Sequence, residues 1–228
     1  MKFLNYNKVL CLSPHPDDVE YGMLGTICKY KDTKFDIFVL SQGGDFDEST
    51  SQLRHSESER ALEHIDNAEC HFSDIKHIKN KSEDEWVSII ENKFDIESYN
   101  CIMYPPNEDS HFEHRTINKL APALVRSSKC SRVTYKTASV LDTWLPNLFV
   151  DLDYFENRDE KDGHSNGTHM TFLAGIWYIK LNRMKEFLSQ KDKPYFGEES
   201  ITSFHSNYGC SKRGMNHVES FKIETSYV

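Results

Sequence analysis

The stretch Val9-Leu10-Cys11-Leu12-Ser13-Pro14-His15-Pro16-Asp17-Asp18-Val19-Glu20 decides the fold and points to a site. Its first four residues are apolar without alternation, which is typical of a strand buried on both faces in a parallel sheet. Prolines and ionisable residues end this strand. The segment from Tyr21 to Lys31 then places Leu24, Ile27 and Cys28 on one helical face. The chain therefore begins with a strand, an ionisable loop and a helix.

The same order of strand and helix repeats through the first half of the chain. Apolar runs predict further strands over Phe35–Leu40, Cys70–Phe72 and Cys101–Tyr104. Apolar residues at helical spacing predict helices over Ser51–Asn67, Glu83–Phe94 and from about Glu113 onward. Strands that alternate with helices indicate an α/β fold with a mainly parallel sheet flanked by helices.

The second half of the sequence is less regular. We expect strands over Arg132–Thr137, Leu148–Asp151 and Glu219–Ile223, a helix over Met184–Gln190, and a polar exposed loop over Asn157–Thr168. There is no repeat and no clear linker. A single domain over residues 1–228, with an elaborated C-terminal part, is therefore predicted.

Composition and charge exclude several classes of protein. Of the 228 residues, 38% are hydrophobic and 28% charged, as in soluble globular domains. No apolar run approaches the roughly 18–20 residues of a membrane span. A net charge of −9 argues against a nucleic-acid binder. The six cysteines are scattered and no secretory signal is evident, which favours a cytoplasmic protein without disulfides.

The loop after the first predicted strand carries the first set of candidate ligands. Ligands of such sheets bind beyond the carboxyl ends of the strands, here the loops at 13–20, 41–50, 73–80 and 105–114. His15 and Asp18 are three residues apart across a proline, so both can reach one cation. Asp17 should point elsewhere. The simpler alternative is that Asp17 or Asp18 only caps the following helix.

The loop after the fourth predicted strand reaches the same edge of the sheet and holds His111 and His114. Together, His15, Asp18 and one of these two histidines would supply three protein ligands and leave one position open, as in catalytic zinc sites. Asp17 could then accept a proton as water attacks a carbonyl. The other histidine could stabilise the oxyanion or protonate a leaving amine. The simpler alternative is a solvated loop that leads into a helix.

These segments resemble the motifs of a known family. His15-Pro16-Asp17-Asp18-Val19-Glu20, followed by Gly22-Met23-Leu24-Gly25-Thr26, resembles the signature of the PIG-L/LmbE family of zinc-dependent de-N-acetylases. His111-Phe112-Glu113-His114 is similar to that family's H-P-D-H motif, and Arg54-x-x-Glu57-x-x-x-Ala61 to a third segment. The resemblance implies a Rossmann-like fold, one Zn²⁺ per chain, and removal of acetyl from N-acetylated amino sugars or their conjugates. It also implies that the chain could form a homo-oligomer.

Carried over position by position, the resemblance implies a role for each of seven residues. The implied roles are metal ligation by His15, Asp18 and His114, general base catalysis by Asp17, oxyanion stabilisation or general acid catalysis by His111, and substrate binding by Arg54 and Asp74. The sequence departs from the family where Phe112-Glu113 replaces Pro-Asp, which lengthens the carboxylate by one methylene.

Three alternatives stand beside this interpretation. Arg54 could form a surface ion pair with Glu57 or Glu59. A metal-dependent phosphoesterase is a second enzyme class, although it usually needs a two-metal carboxylate cluster. A noncatalytic sugar-binding module is the third, and the presence of Asp17 beside a complete ligand set argues against it.

Overall fold

The computed structural model describes residues 1–43, 48–153 and 175–227. The loop predicted over Asn157–Thr168 lies outside these residues. The strands are β1 (Lys8–Ser13), β2 (Lys34–Val39), β3 (Ala68–Phe72), β4 (Cys101–Tyr104), β5 (Ser131–Tyr135), β6 (Leu148–Asp151) and β7 (Val218–Thr225). The α-helices are α1 (Asp18–Lys29), α2 (Glu48–Ala61), α3 (Glu83–Lys93), α4 (Phe112–Leu124), α5 (Ile176–Met184), α6 (Glu198–His205) and α7 (Tyr208–Ser211). Short 3₁₀ helices cover Phe3–Asn5, Ile78–Asn80, Ile96–Ser98 and Leu188–Gln190.

One sheet organises the described residues. Its strand order is β3-β2-β1-β4-β5-β7-β6. Strands β1 to β5 pair in parallel, whereas β7 runs antiparallel to both β5 and β6. The strand order reverses between β1 and β4, and ligands of such sheets bind at this switch point. The prediction of a Rossmann-like, mainly parallel α/β fold is confirmed.

The central strands β1 and β4 are apolar runs because helices cover both faces of the sheet. Val9 and Cys11 of β1 pack into one core with α1 and α5, and Leu10 and Leu12 pack into the other with α3 and α4. Successive residues of a strand point to opposite faces, so a parallel strand between two cores reads as a continuous apolar run. For this reason, the apolar runs in the first half of the sequence predicted its strands.

The C-terminal part joins the same core rather than forming a second one. Glu219 of β7 is fully buried, and its carboxylate accepts hydrogen bonds from the backbone N–H groups of Gly25 and Thr26 at 2.8 and 2.5 Å. The Lys180 ammonium from α5 lies 2.5 Å from the same carboxylate. A buried carboxylate is tolerable only with such partners. These contacts fix α1, and the loop before it, against β7.

One prediction for the second half needs correction. The helix predicted over Met184–Gln190 is wrong, because α5 ends at Met184 and only Leu188–Gln190 is a 3₁₀ turn. Met184 and Phe187 are buried in that stretch without a continuous helix. All six cysteines are free, as predicted. Among the described helices, none combines the length and apolar character that a bilayer span requires.

Candidate metal centre and catalytic site

A cavity of about 230 Å³ opens at the carboxyl ends of β1 and β4. The loop after β1, the start of α4 and a turn before α6 all contribute residues to its lining. The two motif loops meet here because β1 and β4 are neighbours in the sheet. The convergence that the sequence predicted therefore follows from strand pairing.

Three potential ligand atoms lie at almost equal distances from one another. His15 Nδ1 is 3.1 Å from Asp18 Oδ2, His114 Nε2 is 3.2 Å from the same oxygen, and the two ring nitrogens are 3.4 Å apart. Zinc bonds of about 2.0–2.1 Å at tetrahedral angles put neighbouring ligand atoms about 3.3 Å apart. The set therefore fits a tetrahedral ion with one position left for another ligand.

His111 is the competing ligand at this place. One of its ring nitrogens lies within 4.8 Å of ring nitrogens of His15 and His114, so these three histidines also form a set that could hold a metal. The set with Asp18 is tighter and buried, whereas the His111 residue is exposed. Geometry therefore favours Asp18 over His111 as the third ligand.

A buried carboxylate orients His114. Asp109 is 1% exposed, and its Oδ2 lies 2.9 Å from His114 Nδ1. Asp109 also accepts hydrogen bonds from the His111 N–H at 2.7 Å, from the Ser139 hydroxyl at 2.6 Å and from the Thr137 hydroxyl. With the proton of His114 on Nδ1, Nε2 presents its lone pair to the cluster. Such carboxylate–histidine pairs are typical of metal sites.

Glu113, where the sequence departs from the family motif, orients His15 in the same way. Glu113 Oε2 lies 2.7 Å from His15 Nε2, and its Oε1 accepts a hydrogen bond from the Ile78 N–H at 2.8 Å. Glu113 thus contacts the first-loop histidine, whereas His111 receives only the Glu113 backbone N–H. The longer carboxylate fixes His15 with Nδ1 toward Asp18. Both histidines of the tight set are therefore oriented by a carboxylate.

The electrostatics of the cluster favour positive charge at its centre. Burial alone would lower the pKa of His114, but the charge of Asp18 and hydrogen bonds to Asp109 and Asp18 raise it to about 10. Burial opposes ionisation of Asp18, yet the charge of His114 and its hydrogen bond hold the pKa of Asp18 well below its usual range. Carboxylates arranged in this way suit a divalent cation.

His111 is the N-cap residue of α4 and stacks on His114, with ring centroids 4.6 Å apart. Its Nδ1 accepts a hydrogen bond from the Glu113 N–H at 3.3 Å, so the neutral ring carries its proton on Nε2. Burial, followed by the nearby charges of His114 and His15, lowers the pKa of His111. A neutral imidazole that can donate from Nε2 is suited to stabilising an oxyanion.

Asp17 occupies the N-cap position of α1, but its side chain makes no capping hydrogen bond and its carboxylate is not one of the tight ligand set. It has φ of +113°, a backbone conformation that non-glycine residues rarely adopt and that costs about 1–3 kcal/mol. The Arg54 guanidinium lies 3.2 Å from Asp17 Oδ2. Burial raises the pKa of Asp17, and the charge of Arg54 opposes that rise. The result is a buried carboxylate with a raised pKa, which is what a general base requires.

Arg54 is 3% exposed, so a surface ion pair with Glu57 or Glu59 does not describe it. Besides Asp17, its guanidinium donates to the carbonyls of Pro16 at 2.8 Å and Gly43 at 3.1 Å. Gly43 has φ of +87°, and a Cβ there would meet Arg54 Nη1 at 1.7 Å. These contacts of Arg54 hold in place the loops that line the cavity. The substrate-binding role that the sequence predicts for Arg54 stays a prediction.

Asp74, the other predicted substrate-binding residue, is exposed beyond β3 and does not line this cavity. Sequence reasoning missed Asp109 and Lys193, and Lys193 lines the cavity together with Tyr195. Asp109 had a usable signal, because it stands in the second motif loop. Lys193 had none, since nothing in its local sequence places it beside β1.

Two other places deserve comparison with this cavity. Asp36, Glu69 and His71 also bring potential ligand atoms together. However, Asp36 already pairs with the Lys8 ammonium at 3.0 Å and accepts the Tyr99 hydroxyl at 2.5 Å. A larger groove of about 830 Å³ lies at the opposite edge of the sheet, near the start of β2, and its described lining has no converging ligand set.

Three solved structures share the fold over nearly the whole chain. N,N′-diacetylchitobiose deacetylase from Pyrococcus horikoshii is 21% identical, with a TM-score of 0.69 over 98% of this chain and 85% of that chain. The 4-carboxy-2-hydroxymuconate hydratase GalB from Pseudomonas putida KT2440 is 14% identical, with a TM-score of 0.70 over 100% and 98%. The zinc-inhibited form of teicoplanin deacetylase Orf2 is 12% identical, with a TM-score of 0.60 over 94% and 96%. At these identities the likeness shows the fold, which a hydratase shares with deacetylases.

The family comparison covers the motifs themselves. None of the curated proteins compared matches this sequence. The family model PIG-L, described as GlcNAc-PI de-N-acetylase, matches residues 10–125. This match runs from β1 to the end of α4 and includes both loops that meet in the cavity. The chain therefore belongs to the PIG-L family.

Proposed function

We propose that this protein is a zinc-dependent hydrolase that removes the acetyl group from the nitrogen of an N-acetylated amino sugar or its conjugate. The observation that carries the proposal is the set of His15 Nδ1, Asp18 Oδ2 and His114 Nε2, whose mutual separations of 3.1–3.4 Å suit tetrahedral zinc. Membership of the PIG-L family and fold neighbours that are deacetylases support the same reaction.

Each residue of the cavity then has a chemical task. A zinc ion held by His15, Asp18 and His114 would act as a Lewis acid toward the amide oxygen and acidify the attacking water. Asp17 accepts the proton of that water, because it is a buried carboxylate with a raised pKa beside the ligand set. Arg54 keeps this carboxylate in place through contacts with Asp17 and two carbonyls.

His111 stabilises the negative charge that develops on the amide oxygen. Its Nδ1 is already an acceptor from the Glu113 N–H, so Nε2–H is the group left to donate. Its lowered pKa favours the neutral ring, and we therefore assign it hydrogen-bond donation rather than proton storage. The proton that Asp17 has accepted is then available to the leaving amine. One carboxylate serves as base and then as acid.

The test measures free amine and acetate together. Zinc-loaded protein is incubated with N-acetylhexosamines, diacetylchitobiose, sugar phosphates and nucleotide-activated forms. The proposal predicts equal amounts of amine and acetate from at least one compound, with one zinc per chain. Release of inorganic phosphate with two metal ions per chain would favour a phosphoesterase instead. Tight sugar binding without any turnover would favour a noncatalytic module.

A further inference from the structure

One part of the cavity lining is a turn that the rest of the protein holds in place. Lys193, Pro194, Tyr195 and Phe196 form it, and the Phe196 N–H donates to the Lys193 carbonyl at 2.9 Å. The Tyr21 hydroxyl, from the motif helix α1, donates to the Tyr195 carbonyl at 3.0 Å. Phe196 is buried with its ring 5.6 Å from that of Tyr21. The turn is thus fixed to the same helix that carries Asp18.

A second anchor fixes the chain just before the turn. Glu57 of α2 accepts the Ser189 N–H at 2.8 Å and the Ser189 hydroxyl at 2.5 Å. The Lys193 N–H donates to the Gln190 carbonyl at 2.9 Å. These anchors lie on either side of Lys193 and fix its backbone, and its side chain lines the same cavity as Asp17 and His111.

The Lys193 ammonium differs from the other cation of the cavity. Arg54 is committed to Asp17 and two carbonyls. Lys193 is half-buried, its ammonium lies 5.6 Å from the centroid of the Tyr195 ring, and no salt bridge joins it to a carboxylate among the described residues. Its partial burial lowers its pKa, and the charge of Asp17 opposes that change. A partly desolvated ammonium that faces a cavity, rather than a carboxylate, is suited to an anionic ligand.

The net charge of the protein and the volume of the cavity restrict the kind of ligand that Lys193 can bind. The protein has a net charge of −9, so a general attraction for anions is absent and a local cation must provide it. The cavity of about 230 Å³ is below the roughly 300–1,000 Å³ of pockets for drug-sized ligands. The reacting sugar and its immediate substituents match this volume. A group that contacts Lys193 inside the cavity therefore lies close to that sugar.

We propose that Lys193 is a specificity-determining residue that binds an anionic oxygen group, a carboxylate or a phosphate, carried by the same sugar as the acetamido group. This inference rests on the proposed function and names its substrate class. Lys193 offers up to three N–H donors to such a group, and the anchored turn spares much of the cost of ordering it. Neutral N-acetylhexosamines would be turned over less efficiently, because the ammonium is left without a counter-charge.

The experiment compares kcat/KM for neutral and anionic N-acetylated sugars. The neutral substrates are N-acetylglucosamine and diacetylchitobiose. The phosphate arm uses N-acetylglucosamine 1-phosphate and 6-phosphate, and the carboxylate arm uses N-acetylmuramic acid. We expect at least one anionic compound to exceed the neutral ones by about ten-fold or more, the usual range for a charge-assisted hydrogen bond. Lys193→Gln should lower this ratio by about the same factor, and Lys193→Arg should retain most of it.

Lys191→Gln is the matched control, because Lys191 is exposed two residues earlier and does not line the cavity. It should leave the ratio unchanged. A wild-type ratio near one would overturn the inference. Equal losses on neutral and anionic substrates in Lys193→Gln would also overturn it, since they would assign Lys193 to positioning Asp17.

A binding measurement keeps this result separate from the proposed function. Dissociation constants are measured for zinc-loaded protein with the product amines glucosamine, glucosamine 1-phosphate, glucosamine 6-phosphate and muramic acid. The inference predicts that an anionic amine binds more tightly than glucosamine, and that Lys193→Gln removes the difference. Absence of turnover on every substrate would contradict the proposed function, while this comparison would still decide the role of Lys193.

Discussion

The motif loops and the turn of Lys193 to Phe196 line one cavity, but they differ in which groups the surrounding protein holds in place. In the motif loops the ligand candidate His114 and the proposed base Asp17 are each held by another ionisable side chain, Asp109 and Arg54 respectively. In the turn the backbone is held, and the Lys193 side chain lines the cavity without a salt bridge to a carboxylate among the described residues. Chemistry needs fixed protonation states, whereas selectivity needs groups that are kept for the ligand.

Among the variants that test this comparison, the largest loss of activity is expected at Asp17. Asp17→Asn removes the base but keeps the size of the side chain, and the left-handed backbone there is one that asparagine tolerates. We expect activity to fall by about 10²–10⁴-fold, the usual contribution of general acid–base catalysis. Metal content should stay at one per chain. Steady-state kinetics and elemental analysis of the same preparation check both statements.

Asp192→Asn is the matched control for Asp17, because Asp192 is exposed beside the turn and does not line the cavity. It should keep wild-type kinetics. If Asp17→Asn kept wild-type turnover, the division between chemistry in the motif loops and selectivity in the turn would fail.

A smaller effect is expected where a carboxylate orients a ligand. Asp109→Asn should weaken zinc binding by about 10–100-fold, as loss of such supporting hydrogen bonds does in other metal sites. His114→Ala should lose the metal, and His111→Ala should retain it. A competition titration with a chelating dye measures all three. Loss of zinc in His111→Ala, with retention in an Asp18→Asn variant, would assign the third ligand to His111.

The raised pKa of His114 predicts opposite pH trends for folding and for metal binding. Its pKa is about 10 in the folded metal-free protein and ordinarily 6.5. The resulting stability is fully present below pH 6.5 and is lost as pH rises through about 10. Zinc must displace this proton, so zinc affinity should rise with pH by up to about ten-fold per unit between pH 6 and 8.

Denaturant unfolding of the metal-free protein and zinc titrations over this pH range test the two trends. His64→Asn is the control, since that side chain is 81% exposed and far from the cluster in the fold. It should change neither slope. Zinc affinity that stays flat from pH 6 to 8 would contradict the protonation of His114.

The smallest effect is expected at Arg54. Arg54→Lys keeps a positive charge near Asp17 but loses donors to the Pro16 and Gly43 carbonyls. If Arg54 acts through Asp17, kcat should fall by roughly ten-fold or less while KM changes little. If it binds substrate, as the sequence predicted, KM should rise more than kcat falls. Kinetics of this one variant separate the two roles.

The sequence predicted the parts of the molecule in which local pattern and strand pairing agree. The run Val9–Leu12 identified a doubly buried strand, and its neighbour in the sheet brought His114 to His15. The candidate ligands and Asp17 could be proposed from the sequence because they lie within two short loops. The structure brings these loops together, and the roles of the residues stay a prediction.

What the sequence could not predict depends on contacts between distant segments. Lys193 reaches the cavity through anchors on Glu57 and Tyr21, more than 130 residues away along the chain. No local periodicity encodes such contacts. The predicted helix over Met184–Gln190 failed for a related reason, since Phe187 and Gln190 are buried by tertiary packing rather than by a helical face.

The most direct test of the account is a zinc titration of the metal-free protein in which bound metal and acetate release are read together. The account predicts that activity on an N-acetylated sugar rises in proportion to bound zinc and saturates at one ion per chain. Asp17→Asn should bind the same single ion and stay inactive. Full activity in the metal-free protein, or a requirement for two ions, would contradict it.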